Sequence, residues 1–163
     1  MLFHATYEKL LPNIKEKGLV IGSKSYNLIT DIPANYFANN PDIAYSMVEC
    51  AEYDDEDELM ALGEIIVLAI KEEDIYSLEE YQSEEKYFIV DEQIIFESEK
   101  NIFSVAYNGN IPPQIISIYN IEDNSLKGII DGKDNGKWDE VENNFYKLLD
   151  SYEREYLRID NKK

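Results

Sequence analysis

The sequence predicts an α+β domain built on a small, mostly antiparallel β-sheet. Three observations lead there. Apolar, β-branched runs recur along the chain, most clearly GEIIVLAIK at 63–71 and YFIVDEQIIF at 87–96. Helical signals before residue 122 are confined to two short stretches. Pro, Asn and Gly stand between the runs as turn residues. With 163 residues, 44% of them hydrophobic, the chain is long enough for one well-buried core with an appended terminal element.

Met1 to Ala5 is a short apolar run that reads as a first strand, with His4 inside it. Pro12 would break a helix begun at Thr6, so Thr6 to Leu11 reads as a turn or loop. The same proline suits the first turn of a helix over Pro12 to Lys17. Gly18 ends it as a C-cap, and Leu19 to Ile21 is extended. Gly22 to Pro33 is polar and reads as a loop. Tyr36, Phe37 and Ala38 form a short strand. Asn39 to Asp42 then carry the residue types of a turn and a helix start. A helix over Pro41 to Tyr53 follows, with Ile43, Met47 and Cys50 on one face.

Glu49 to Glu58 holds seven acids in ten residues and reads as a solvated helix end and loop. It lacks the spaced acids and central Gly of a calcium loop. Gly63 to Lys71 reads as a buried central strand. Tyr87 to Phe96 and Ile102 to Tyr107 are further strands. Pro112 and Pro113 mark a corner, and Ile115 to Ile121 reads as the last clear strand. Glu122 to Lys137 is rich in Asp, Asn and Gly, a linker or loose hairpin. Beyond it Trp138, Val141, Phe145, Leu148, Tyr152, Tyr156 and Ile159 recur at steps of three and four. That spacing predicts an amphipathic C-terminal helix, packed on the domain or forming a homodimer seam. The organisation expected is a folded domain over 1–121, then a linker and helix over 122–163.

Composition excludes several functions. Acidic residues number 34 against 15 basic ones, for a formal charge of −19. A generic binder of phosphate backbones needs clustered Lys and Arg, so direct nucleic-acid binding is not expected. One cysteine and one histidine exclude a cysteine zinc cluster and a multi-histidine metal site. Apolar runs of bilayer-spanning length and a signal peptide are both absent, which predicts a soluble cytoplasmic protein without membrane association. The 13 tyrosines and abundant Ile, Asn and Lys match an AT-rich genome, such as a low-GC bacterium or its phage.

Three segments together resemble the ADP-ribosyltransferase-like superfamily, in its His-Tyr-Glu branch. LFHATYEKLLPNIKEKGLVIGS is similar to the family's opening strand, short loop and helix closing in Gly-Leu, through His4, Ala5, Thr6, Ile14, Gly18 and Leu19. NYFANNPDIAYSMVEC resembles its Tyr-Phe-Ala strand and following helix, through Tyr36, Phe37, Ala38, Ala44 and Tyr45. LMALGEIIVLAI resembles its Leu-Gly-Glu lead into a long buried strand, through Leu62, Gly63 and Glu64. The order and rough spacing agree across residues 1–121.

The resemblance implies a split sheet with a cleft, NAD as the bound dinucleotide, and no metal. It assigns ribose binding to His4, binding of the nicotinamide amide to the backbone of Ala5 with support from Thr6, and ring stacking to Tyr36 and Tyr45. Stacking needs flat, polarizable faces. Breaking the glycosidic bond builds positive charge on the ribose, which a nearby carboxylate stabilises. In the family a Glu opening a late strand does this. Here that strand is NIFSVAYNGNIPPQII, and the matching positions Ile102 to Ser104 carry no carboxylate. Glu99 is nearest and is the catalytic candidate beside His4; Glu97 and Glu92 are the alternatives. The activity implied is mono-ADP-ribosyl transfer to a macromolecular acceptor, a protein foremost, in a phage or bacterial effector or anti-defence role, or NAD binding alone where the catalytic Glu is absent. The competing reading is a non-enzymatic acidic inhibitor that imitates nucleic-acid charge and binds a basic partner.

Overall fold

A computed structural model describes residues 1–21, 34–49, 62–78, 88–95, 100–107 and 109–139. Among the described residues eight strands are present: β1 (Leu2–Tyr7), β2 (Asn35–Ala38), β3 (Ile65–Ile70), β4 (Phe88–Ile95), β5 (Lys100–Tyr107), β6 (Ile116–Asn120), β7 (Ser125–Gly128) and β8 (Asp134–Lys137). They join in the order β4-β5-β2-β1-β3-β6-β7-β8, and each neighbouring pair is antiparallel. Three helices accompany them, α1 (Leu11–Lys17), α2 (Pro41–Glu49) and α3 (Glu72–Tyr76). The class is therefore α+β.

The centre of the sheet, over β2, β1, β3 and β6, is apolar on both faces. Leu2, Phe37, Leu68, Ile70 and Ile116 pack on one side with Ile14 of α1, Ile75 of α3 and Tyr107. Phe3, Ala5, Ala38, Val67, Ala69 and Tyr119 pack on the other with Ala44 of α2 and Leu126. Alternate residues of each strand point to opposite faces. An interior strand covered on both sides must be apolar at every position, and this explains the unbroken run IIVLAI of β3. The α1 face and the α2 face are used below to name the two sides.

β1 is longer than its sequence suggests. Thr6 and Tyr7 continue the strand, pairing with Ile66 and Ile65, and Glu8–Leu10 then form a 3-10 turn. Pro12 stands in the first turn of α1, and the Gly18 N–H donates to the Ile14 carbonyl at 2.8 Å, as a C-cap should. Gly18 has φ 78° and ψ −164°, a conformation essentially reserved for glycine. It also lets Leu19 pair with Ile111, and a Cβ there would collide with the Ile111 carbonyl. Gly63, at φ 84°, turns the chain into β3 in the same way.

In α2 the inward residues are Pro41 and Ala44, with Ile43, Met47 and Val48 partly buried. Cys50 and the rest of the predicted helix lie outside the described residues, as does the acidic tract beyond Glu49. α3, only five residues long, carries no periodicity by which the sequence could announce it. The ammonium of Met1 meets the buried Glu72 carboxylate at 2.8 Å and ties α3 to β1.

Ile116–Asn120 is not the last strand. Of the two readings of 122–137, the structure follows the hairpin: β7 pairs with β6, and β8 with β7. The backbone N–H of Ser125 bonds to the Asp123 carboxylate, Lys133 to Asp131, and Gly136 to Asp134. These Asx turns explain why a segment this polar is ordered. Trp138 is in no helix. It follows β8 directly and sets its ring edge-on against Phe3 and Tyr119, at centroid distances of 5.3 and 6.2 Å. Residues 140–163, with the rest of the predicted C-terminal helix, lie outside the described residues. Among those described, no helix is long and apolar enough to cross a membrane.

Candidate functional site

The three segments that carry the family resemblance are brought side by side, β2 beside β1 and β1 beside β3. The two seams differ. Six residue pairs join β1 to β3, whereas Phe3↔Ala38 alone joins β1 to β2. The sheet is thus continuous in hydrogen bonding, not split as the resemblance implies, and its ladder is narrowest between β1 and β2.

His4 bridges that seam. Its Nδ1 lies 2.7 Å from the backbone carbonyl oxygen of Tyr36. A carbonyl can only accept, so Nδ1 carries the proton and donates it. Burial holds the imidazole pKa below its ordinary 6.5, and the Tyr36 hydrogen bond opposes this more weakly. The ring is therefore neutral at pH 7, and Nε2 is left as the acceptor. Phe37 stands alongside, with ring centroids 5.7 Å apart.

Strand alternation distributes the remaining candidates. His4 and Thr6 share the α1 face with Leu2 and Phe37. Ala5 and Tyr36 belong to the α2 face, over which α2 carries Tyr45. Tyr45 is 37% exposed and Tyr36 is partly buried. Tyr36 and Ala5 therefore share the face that α2 covers, and the imidazole and Thr6 share the other, so the structure does not bring the predicted ribose-binding and ring-stacking side chains together on one face. Thr6 is buried.

β5 lies next to β2, with Tyr36↔Ala106 and Ala38↔Ser104. It begins at Lys100, two residues earlier than the sequence suggests. By Lys100 the strand has run four residues, roughly 13 Å, past the end of β2. Glu99 and Glu97 lie outside the described residues. Glu92 is in β4, at the register position opposite Phe103.

Sequence reasoning missed Asn35. Its buried amide donates to the carbonyls of Leu19 and Gly109, at 3.1 and 2.7 Å, and so holds the chain after α1 and the turn after β5 against β2. The signal was a polar residue leading an apolar strand. The part played by the Tyr36 carbonyl had no signal at all, since a main-chain acceptor is the same for any residue.

The neutral imidazole acceptor and the aromatic ring of Tyr36 thus stand on opposite faces of the sheet, separated by a ladder one residue pair wide. Among the described residues, no three His, Cys, Asp or Glu side chains gather to hold a metal ion. Compared with protein-family models, curated proteins and solved structures, the chain matches none.

Proposed function

We propose that the seam between β1 and β2 binds NAD and that the protein is a mono-ADP-ribosyltransferase with an ADP-ribosyltransferase-like fold. The observation that carries this reading is the adjacency of β2, β1 and β3. Three sequence segments that each resemble the family weakly occupy neighbouring strands, with β5, the counterpart of the family's Glu-bearing strand, next in line.

In this reading His4 Nε2 accepts from an adenosine ribose hydroxyl, and the Nδ1 bond to Tyr36 keeps that tautomer in place. The Ala5 backbone meets the nicotinamide amide. The ring reaches Tyr36 and Tyr45, on the opposite face from His4, past the one-pair ladder between β1 and β2, and the exposure of Tyr45 leaves it accessible from solvent. Positions 102–104 carry no acid, so single transfer is a better fit than polymer elongation. The acceptor is a macromolecule, a protein foremost.

Binding is tested by thermal denaturation. NAD at millimolar concentration raises the melting temperature of the wild type through ligand linkage. His4→Ala loses most of the shift while remaining folded. An absent wild-type shift would count against the site. Transfer is tested with NAD labelled in its adenylate half and a cell lysate, where label should appear on protein. Capture of a basic partner without label transfer, lost above roughly 0.5 M salt, would favour the acidic-inhibitor reading instead.

A further inference from the structure

We propose that Asn135, in the β7–β8 hairpin, is a site of spontaneous covalent modification. It deamidates through a cyclic imide with Gly136 while the protein is folded, and the isoaspartate formed loosens the hairpin. This part of the fold is not used by the NAD-binding reading. Asn-Gly occurs at 108–109 and at 135–136. Asn108 lies outside the described residues. An asparagine is chemically labile where the next backbone nitrogen can reach its side-chain carbonyl carbon, and a following glycine puts no Cβ in the way.

The ladder leaves this pair of residues free to react. Ser125 is opposite Lys137 and Lys127 is opposite Asp134, so Asn135 and Gly136 together face Leu126. Two residues against one make a β-bulge, which is released from regular pairing. β8 is also the last strand of the sheet among the described residues, and it is exposed throughout. Gly136 has φ 95°, and its N–H donates to the Asp134 carboxylate at 2.9 Å. That carboxylate is placed to take the proton of the attacking nitrogen. Two neighbouring asparagines lack these conditions. Asn120 and Asn124 precede Ile121 and Ser125, which carry a Cβ, and Asn124 Oδ1 accepts from the Tyr119 hydroxyl.

The chemistry balances with water as its only reagent. The Gly136 nitrogen bonds to Asn135 Cγ and gives up its proton to the Asp134 carboxylate. The bond from Cγ to Nδ2 breaks, and Nδ2 leaves with the electron pair and takes up a proton, as ammonia. Water then opens the cyclic imide at one of its two carbonyls. Opening at the side-chain carbonyl leaves aspartate. Opening at the main-chain carbonyl leaves isoaspartate, in which the backbone runs through Cγ.

The hairpin is built so that this change matters. Asn135 Nδ2 donates to Ser117 Oγ at 2.8 Å and so ties β8 to β6 across β7. The residue between them is Gly128, opposite Ser117, which has no side chain to block the reach. Conversion removes the amide donor. Isoaspartate also lengthens the main chain by a methylene between the pairs at Asp134 and Lys137. Trp138 comes next. Its N–H donates to the Asn124 carbonyl at 2.9 Å, and its ring packs on Phe3 and Tyr119. An added link just before it displaces that packing.

The experiment ages the full chain at mildly alkaline pH, folded and in urea. Peptide mapping by mass spectrometry follows each asparagine, and an isoaspartyl methyltransferase with labelled methyl donor detects isoaspartate. In the folded chain Asn135 should convert within about tenfold of its rate in urea, because opening an exposed edge and one hydrogen bond costs little free energy. Asn120 and Asn124 should keep their amides over the same time. Emission of Trp138, the only tryptophan, should shift to the red in step with isoaspartate at 135. Asn135→Gln keeps an amide donor but cannot close the same ring, so its emission should hold steady on ageing. Slower conversion of Asn135 than that, or none, overturns the site, and the mapping decides this on the wild type alone. Conversion with unmoved Trp138 emission, or an equal red shift in aged Asn135→Gln, overturns the link to the hairpin.

Discussion

His4 shows how much one side chain can couple. Its ring occupies the Tyr36 carbonyl where the β1–β2 ladder has narrowed to one pair, so it serves the sheet and the candidate site together. Burial lowers its pKa in the folded protein, whereas the unfolded chain keeps the ordinary 6.5. As pH falls through about 6.5 the unfolded state binds more protons, and stability is lost in that window. Melting temperatures taken from about pH 7 down to pH 5 should show that slope, and His4→Gln should flatten it. An unchanged slope in the variant would assign the effect to other groups. Asn35 makes a purely structural contribution of similar weight. Asn35→Ala removes two buried hydrogen bonds, while the Leu19 carbonyl still accepts from the Ile111 N–H, at a cost of about 2 kcal/mol. The melting temperature should fall by roughly 4–8 °C.

At the level of elements, the end of α1 is determined by one backbone conformation. Gly18→Ala must place a Cβ at positive φ and against the Ile111 carbonyl. The expected loss is about 2 kcal/mol or more, measured by urea denaturation. A neutral outcome would mean that α1 can end in another way. The β7–β8 hairpin depends on different physics. Its strands are largely polar, and β8 is exposed along its whole length. Asx turns shape it, and Trp138 pins its end to Phe3 and Tyr119. Trp138→Ala should cost about 3 kcal/mol. As the only tryptophan, Trp138 should also report hairpin docking through a fluorescence red shift on unfolding. The repeat of apolar residues after 137 suggested a helix starting at Trp138. Periodicity alone could not show that this tryptophan belongs to the β core.

For the molecule as a whole, the charge of −19 is the dominant electrostatic fact. Like charges confined to a compact body repel one another, and salt screens them over a Debye length of about 10 Å at 0.1 M. Raising sodium chloride from about 0.02 M to about 0.5 M should therefore raise the melting temperature. A fall would point to attractive surface pairs outweighing the repulsion. The same charge makes anionic NAD harder to hold. A binding shift that grows with salt would fit a site working against the protein's own field, and one that shrinks would mean local cations dominate.

Local chemistry was enough to read much of the chain. Apolar β-branched runs announced β3, β4 and β5 within one or two residues, because burial on both faces demands apolar side chains throughout. Pro12 and Gly18 bracketed α1, because each is restricted to, or required by, one backbone conformation. Tertiary structure alone decided which strands are neighbours, where the ladder narrows, and which face each candidate shares. Hydrogen-bond partners in a sheet are chosen by whole surfaces fitting together, and no residue of β1 encodes that β2 and β3 will flank it. The same holds for Glu92, which pairing places at the register position opposite Phe103, in the row of His4 and not in that of Tyr36, a distinction that only the sheet register makes.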